Sequence, residues 1–255
     1  LELSLPGDLY WQQEAAGAFD TSADAAGAAE LFARAKVAAD EGQSSTALQL
    51  ATQVLSLDSN HADARRVLGY SQHDGQWLTP FQKKQLDRGN VWDARFGWIK
   101  SEDLPRYEAG ERRSGRRWYT AQDDATRHAS IDEGWRVRTD HFQVTTNHSL
   151  EAAAQLAVEL EKLFQVWRQL FAGYYLGDAE VRARFANERA ARQRRKPFNV
   201  IYHRNKAGYS AALRHKQPRI GETLGIYFDD LREAHFYADA DSDQSLQRAT
   251  LYHEA

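Results

Sequence analysis

One run of apolar residues over 149–172 constrains the fold of this chain more than any other feature. Its apolar side chains recur every three or four residues over about six turns, which is the spacing of one face of an α-helix. Ser149 precedes the run as an N-cap residue, and Glu151 lies in the predicted first turn, where a negative charge is favourable. The pattern therefore predicts a single long helix. We expect four side chains of its apolar face to be buried: Leu160, Phe164, Trp167 and Phe171.

The residues on either side of this helix predict strands, so the C-terminal half of the chain is expected to mix α and β structure. Before the helix, residues 135–146 alternate in polarity and predict a strand or a bent pair of strands. From Ser245 onward the spacing predicts the beginning of a further helix. The elements predicted between these segments are a polar helix over 178–195, a strand over 197–202, a short helix over 206–214, and strands over 222–228 and around 235–237.

Residues 31–70 have the pattern of a helical hairpin followed by the start of a third helix. The small residues Ala39 and Ala47 would let two antiparallel helices approach closely, and Gly42 permits a tight turn between them. The segment resembles one tetratricopeptide repeat, in the run Ala-x-x-x-Gly-x-x-x-x-Ala-Leu followed by Leu-x-Leu-Asp-x-Asn. Such repeats normally stack in three or more copies, and the sequence contains one clear copy. An ordinary helical hairpin that packs on its neighbour is therefore an alternative of equal weight.

The segments on either side of this hairpin are less specific. Residues 1–30 are rich in Ala, Gly and Asp and predict a weakly ordered or helical lead-in. Residues 71–134 repeat a Gly-x-Trp-x-Thr pattern, because Gly75–Thr79 is echoed by Gly115–Thr120 and more weakly by Gly134–Trp135. A glycine permits a turn, a tryptophan buries a large surface and a threonine can cap a helix. The pattern therefore predicts small strand–turn–helix units rather than a reactive centre.

Composition and charge exclude several functional classes. The chain has no cysteine, which excludes a disulfide framework, a thiolate metal site and a cysteine nucleophile. No apolar run approaches the roughly 18 residues of a membrane-spanning helix, so no membrane span is expected. The net charge is −3, and the basic run Arg182–Lys196 lacks the stacking aromatic residues of a single-strand binder. We therefore expect that run to be a solvated surface and the protein to have no nucleic-acid partner.

The residues that carry recognisable chemistry are His253 and Glu254, which are followed by Ala255. A His-Glu pair alone is a weak signal, but this pair lies on the helix predicted from Ser245, which follows a predicted strand-rich segment. Zinc peptidases place His-Glu-x-x-His on such a helix, where both histidines bind the metal and the glutamate activates water. The sequence therefore predicts His253 as a metal ligand and Glu254 as the catalytic base, with the second histidine expected beyond Ala255.

Residues 135–255 resemble the N-terminal part of a bacterial peptidase-MA-like domain of the gluzincin type. The segments that carry this resemblance are Trp135…His141-Phe142-Gln-Val-Thr-Thr-Asn147, Leu160-Glu-Lys-Leu163-Phe164…Trp167, Val200-Ile-Tyr202…Tyr209, Gly225-Ile-Tyr227 and Thr250-Leu-Tyr-His253-Glu254-Ala255. The resemblance implies an α+β protein, in which an N-terminal tetratricopeptide-like region precedes a mixed α/β gluzincin-like domain that is truncated at its zinc helix. It also implies zinc as the cofactor of the complete protein, a peptide or protein substrate, and export from the cytoplasm.

Two functions remain open at this point. The first is a zinc-dependent metallopeptidase, which hydrolyses peptide bonds. The alternative is a non-catalytic binding or scaffold protein, in which the helical hairpin docks a protein partner and the C-terminal domain is an inactive relative of the peptidases. Because a catalytic zinc normally takes three protein ligands, we expect residues 1–255 alone to hold no stoichiometric zinc and to show no metal-dependent peptidase activity.

Overall fold

The structure is a computed structural model that describes residues 5–11, 24–188 and 196–238. Its helices and strands make it a mixed α+β protein with a helical N-terminal region, as the sequence predicted at this coarse level. Within the described ranges, no helix combines the length and the apolar character that crossing a membrane requires.

The described residues form ten α-helices, two short 3-10 helices and eleven strands. In chain order the helices are α1 (Ala25–Asp40), α2 (Ser44–Leu57), α3 (Ala62–Val67), α4 (Pro80–Leu86), α5 (Leu104–Glu108), α6 (Ala121–Arg127), α7 (Leu150–Leu170), α8 (Ala172–Tyr175), α9 (Asp178–Phe185) and α10 (Lys206–Leu213). Two short 3-10 helices cover Ser101–Asp103 and Ile220–Glu222. The strands are β1 (Ser71–His73), β2 (Gln76–Leu78), β3 (Asn90–Asp93), β4 (Gly97–Lys100), β5 (Glu111–Ser114), β6 (Arg117–Thr120), β7 (Trp135–Arg138), β8 (Phe142–Thr146), β9 (Phe198–His203), β10 (Gly225–Phe228) and β11 (Glu233–Tyr237).

The chain divides into two compact units that are not continuous in sequence. The first unit comprises residues 1–84 and 162–195, and the second comprises residues 85–161 and 196–255. The long helix α7 contributes its first half to the second unit and its second half to the first unit. Residues 162–195 therefore group with the N-terminal segment rather than with the rest of the C-terminal half.

The first unit is built around the α1–α2 hairpin that the sequence predicts. Helix α1 is capped by Asp24, whose Oδ1 accepts a hydrogen bond from the Gly27 N–H, and it begins earlier than the predicted range. Gly42 has a φ of +77°, the left-handed conformation that the tight turn requires. Both helices bury several small residues, which allow them to approach closely: Ala35, Ala38, Ala39, Ala47 and Ala51. Helices α8 and α9 pack on the same core through Ala172, Leu176, Val181 and Phe185.

Three β-hairpin–helix modules follow the helical hairpin: β1–β2–α4, β3–β4–α5 and β5–β6–α6. Each module begins after a glycine with a positive φ, at Gly69, Gly89 and Gly110, and each carries a tryptophan in its second strand, at Trp77, Trp98 and Trp118. The sequence predicted a third, weaker copy of the pattern at Gly134–Trp135, and this prediction was wrong. The remaining module instead contains Gly97 and Trp98, whereas Trp135 is the first residue of strand β7. The pattern is weaker in this module because Gly97 and Trp98 are adjacent and Ser101 replaces the threonine after the second strand.

Five strands of the second unit form one mixed sheet in the order β10-β11-β9-β8-β7. Strands β8, β9 and β11 are parallel, and the two edge strands β7 and β10 are antiparallel to their neighbours. Since side chains alternate between the faces of a strand, the register brings Val144, Val200 and Ala234 onto one face. The opposite face carries a more polar set: Gln143, Thr145, Asn199, Ile201, His203, Glu233, His235 and Tyr237.

Helix α7 matches the predicted long helix, with one correction at its end. The Ser149 Oγ accepts a hydrogen bond from the Ala152 N–H at 3.0 Å, as expected of an N-cap. Leu160 and Phe164 are buried and Trp167 is half-buried, but Phe171 is 44% exposed. The expectation of a buried Phe171 was wrong because the helix ends at Leu170 and its apolar face does not continue to the next residue.

Two further predicted boundaries are corrected by the structure. Helix α9 ends at Phe185 instead of Arg195, since Asn187 adopts a left-handed conformation with a φ of 57°. The strand predicted from residue 222 begins only at Gly225, after a 3-10 turn. The helix predicted from Ser245 lies outside the described residues.

Candidate functional site

The two residues that the sequence singles out for catalysis lie outside the described ranges. His253 as zinc ligand and Glu254 as catalytic base therefore stay predictions. Among residues 5–11, 24–188 and 196–238, no group of three or more His, Asp or Glu side chains could hold a metal ion. The described residues nevertheless bring together a cluster of titratable groups on the polar face of the sheet.

That cluster centres on a pair of buried histidines, His203 and His235. His203 ends β9, and His235 lies in the neighbouring parallel strand β11. The strand register pairs His203 with Tyr237, two residues beyond His235, so both imidazoles project from the same face. The His203 Nε2 and the His235 Nδ1 are 3.3 Å apart, and the two residues are 2% and 7% exposed. One ring can therefore donate its N–H to the other.

Helix α10 and strand β10 enclose the histidine pair. Asn205 caps α10 by accepting a hydrogen bond from the Gly208 N–H, and this places the Tyr209 ring 5.6 Å from the His203 ring. The Phe228 ring of β10 lies 5.4 Å from the His235 ring. The pair is thus bounded by aromatic side chains, which contribute little solvation to a charged imidazole.

This enclosure keeps both imidazoles neutral at physiological pH. Burial lowers the pKa of His203 to about 4, and the neighbouring His235 contributes to this lowering. Burial likewise lowers the pKa of His235 to about 4, with a smaller contribution from the positive charge of Lys216. The Glu233 carboxylate lies 3.5 Å from the His235 Nε2, but this contact is too long for a good hydrogen bond and does not offset the burial. The pair is therefore a neutral hydrogen-bonded unit.

A second titratable pair, formed by the buried Glu161 and the partly exposed His141, joins the β7–β8 turn to helix α7. The Glu161 carboxylate, which is 2% exposed, accepts hydrogen bonds from the His141 backbone N–H at 2.7 Å and contacts the His141 Nδ1 at 2.8 Å. Burial alone would raise the pKa of Glu161, but the interactions with His141 lower it below its ordinary value. The sequence singled out both residues as parts of longer motifs and did not predict that they pair.

The second unit also contains a cleft of about 400 Å³ between its two β-hairpin modules and strand β7. Aromatic side chains line it together with the buried carboxylate of Asp124. The Asp124 Oδ2 accepts a hydrogen bond from the Trp135 Nε1 at 2.8 Å, so this tryptophan has the structural role that the sequence favoured. Arg112 is also buried, and its Nη2 donates to Glu151 at 2.7 Å. The charged groups at the base of the cleft are thus paired within the unit.

Comparison with known proteins finds no significant match to a family model, to a curated protein or to a solved structure.

Proposed function

We propose that the complete protein is a zinc-dependent metallopeptidase whose catalytic helix carries His253 and Glu254. The observation that supports this proposal is the position of those residues after the five-stranded sheet. Strand β11 is an inner strand, paired with β10 on one side and β9 on the other, and His253 follows its last residue, Tyr237, by 16 positions. The sequence predicts a helix from Ser245, and a His-Glu pair on that helix would begin the His-Glu-x-x-His motif of a zinc-binding helix.

The two residues would have distinct roles in this chemistry. His253 would bind the metal through a neutral imidazole, and Glu254 would accept a proton from the attacking water and pass it to the leaving amine. Zinc would supply the Lewis acid that makes water a sufficient nucleophile at neutral pH. The remaining ligands are expected beyond Ala255.

Strand β10 supports a peptide as the substrate class. Within the described residues it is an edge strand that pairs only with β11, so its outer backbone groups face away from the sheet. An extended peptide can add to such an edge through main-chain hydrogen bonds, while its side chains give specificity. The half-exposed Tyr227 is one side chain of this strand that a peptide would meet.

The helical hairpin gives the scaffold alternative less support than the sheet gives the peptidase. One face of the hairpin is already covered by helices α8 and α9 of the same chain, through the shared core that includes Val181 and Phe185. That face is not available to a protein partner. We therefore place the enzyme first and keep a binding role as the second candidate.

The test is zinc analysis together with a peptidase assay on the complete gene product. We expect one zinc per chain and chelator-sensitive cleavage of an unstructured peptide. The Glu254→Gln variant should keep its zinc and lose activity, whereas His253→Asn should lose both. His215→Asn, which changes an exposed histidine, is the matched control and should behave as the wild type.

Residues 1–255 alone should hold no stoichiometric zinc under the same conditions. A complete protein without zinc, or a Glu254→Gln variant with full activity, would refute the proposal.

A further inference from the structure

The cleft of about 400 Å³ in the second unit has the lining of a small-molecule site. Sites for small ligands usually measure about 300–1,000 Å³ and combine aromatic walls with a few polar groups. Four aromatic side chains line this cleft: Phe96, Trp98, Tyr107 and Trp135. Polar and charged side chains complete the lining, so the cleft presents both stacking surfaces and hydrogen-bonding groups.

Contacts within the unit hold the aromatic walls in place. The Trp98 ring packs edge-to-face on the Trp92 ring, with the ring centroids 5.7 Å apart. The Tyr107 ring lies 5.3 Å from the Phe96 ring and 5.8 Å from the Trp118 ring. Trp98 and Tyr107 are half-buried, so part of each side chain stays accessible. Because the rings are fixed before a ligand arrives, binding against them costs little side-chain entropy.

The inner charged groups of the cleft already have partners in the same unit. Arg112 donates to the Glu151 carboxylate at 2.7 Å, and Arg113 donates to the Asp103 carboxylate at 2.6 Å. The buried Asp124 carboxylate accepts the indole N–H described above. An ionic ligand at this depth would have to break one of these contacts, whereas a neutral ligand would not.

The exposed side chains of the lining offer both hydrogen-bond acceptors and donors. Asp132 and Glu133 supply carboxylate oxygens, and Arg136 supplies a guanidinium group. A hydroxyl group can donate to a carboxylate and accept from a guanidinium, so it can use both kinds of partner. An anionic group could use only the arginine, and an ammonium group could use only the acids. The lining therefore favours a neutral ligand that carries several hydroxyl groups.

We propose that this cleft binds a neutral disaccharide of β-linked pyranose units whose hydroxyl groups are equatorial. Such a sugar ring carries C–H groups on two apolar faces, which suit the aromatic walls. Its hydroxyl groups lie at the ring edge, where they suit Asp132, Glu133 and Arg136. The cleft lies within the second unit, and the site is independent of His253 and Glu254. It therefore stands or falls separately from the peptidase proposal.

The test is isothermal titration calorimetry of the 255-residue chain with cellobiose and with N,N′-diacetylchitobiose. Both are neutral β-linked disaccharides with equatorial hydroxyl groups. Sorbitol is the control ligand, because it is a neutral polyol without a ring face. We expect saturable binding of at least one disaccharide with a Kd of about 1 mM or below, and no binding of sorbitol. Tryptophan fluorescence should change in parallel, since Trp98 and Trp135 line the cleft.

Two variants with matched controls assign the binding to the cleft. Trp98→Leu removes one aromatic wall and should weaken binding about tenfold. Trp77→Leu, which changes the corresponding tryptophan of the first module, lies in the other unit and should leave binding unchanged. Asp132→Ala removes one acceptor and should weaken binding about fivefold. Asp230→Ala, which changes an exposed acid outside the lining, should bind as the wild type.

A wild-type chain that binds neither disaccharide would overturn the proposal, and this outcome needs no variant to fold. Sorbitol binding as tight as that of the disaccharides would also overturn it, because a general polyol effect requires no ring face. Undiminished binding in both Trp98→Leu and Asp132→Ala would put the sugar elsewhere on the chain and refute the assignment to this cleft.

Discussion

The buried histidine pair should make the stability of the protein fall between pH 6.5 and pH 4. The ordinary pKa of histidine is 6.5, and burial lowers the pKa of His203 and of His235 to about 4 in the folded state. Within this pH range the unfolded chain binds protons at both positions and the folded chain does not. Since stability decreases with acidity wherever the unfolded state binds more protons, the free energy of unfolding must fall as the pH is lowered.

The size of this effect follows from the two pKa values. A difference of 2.5 pKa units corresponds to about 3 kcal/mol for each histidine once the pH is below 4. At pH 5 the loss is about 2 kcal/mol per histidine, and above pH 6.5 neither histidine contributes. Because a domain is typically stable by about 5–15 kcal/mol, a loss of about 4 kcal/mol from the pair at pH 5 is readily measured.

The assay is urea unfolding followed by tryptophan fluorescence between pH 7.5 and pH 4.5. Acid also protonates carboxylates, so the informative quantity is the difference between the wild type and His203→Gln/His235→Gln at each pH. The glutamines are uncharged throughout, and we expect the wild type to lose about 4 kcal/mol relative to this variant from pH 7.5 to pH 5. His215→Gln, at an exposed position, should show no such change. A constant difference between wild type and double variant would refute the reasoning.

Three further predictions concern packing, hydrogen bonding and charge. Leu160→Ala should lower the free energy of unfolding by about 2–5 kcal/mol in denaturant titrations, because Leu160 is fully buried. Leu170→Ala, at an exposed position of the same helix, should have a small effect. Trp135→Phe should lower the free energy of unfolding by about 1–3 kcal/mol, because the buried Asp124 carboxylate loses the indole N–H that donates to it. An unchanged urea midpoint would contradict this structural role of Trp135. Oligonucleotides should bind the basic run Arg182–Lys196 only weakly, with affinity that disappears at physiological salt, and tight binding under those conditions would show a nucleic-acid site.

Much of the local structure could be predicted from the sequence. The apolar spacing of 149–172 predicts helix α7 nearly to the residue, because a long amphipathic pattern specifies a helix whatever packs against it. Asp74 and Gly75 both have positive φ angles, which is the turn that a two-residue β-hairpin favours, so the first hairpin module is also recognisable from local residues. The predictions were wrong at ends of elements, as at Phe171, and in the position of one hairpin module, which contains Trp98 instead of Trp135.

The tertiary structure decided which of these residues meet. His203 and His235 are 32 residues apart, and only the parallel register of β9 and β11 brings their rings to 3.3 Å. Glu161 and His141 lie in separate elements that no periodicity connects. The sequence by itself determined the helices and turns, because backbone geometry responds to near neighbours. Burial of Asp124 and the lowered histidine pKa values depend on removing water from groups brought together by folding, and only the tertiary structure could decide them.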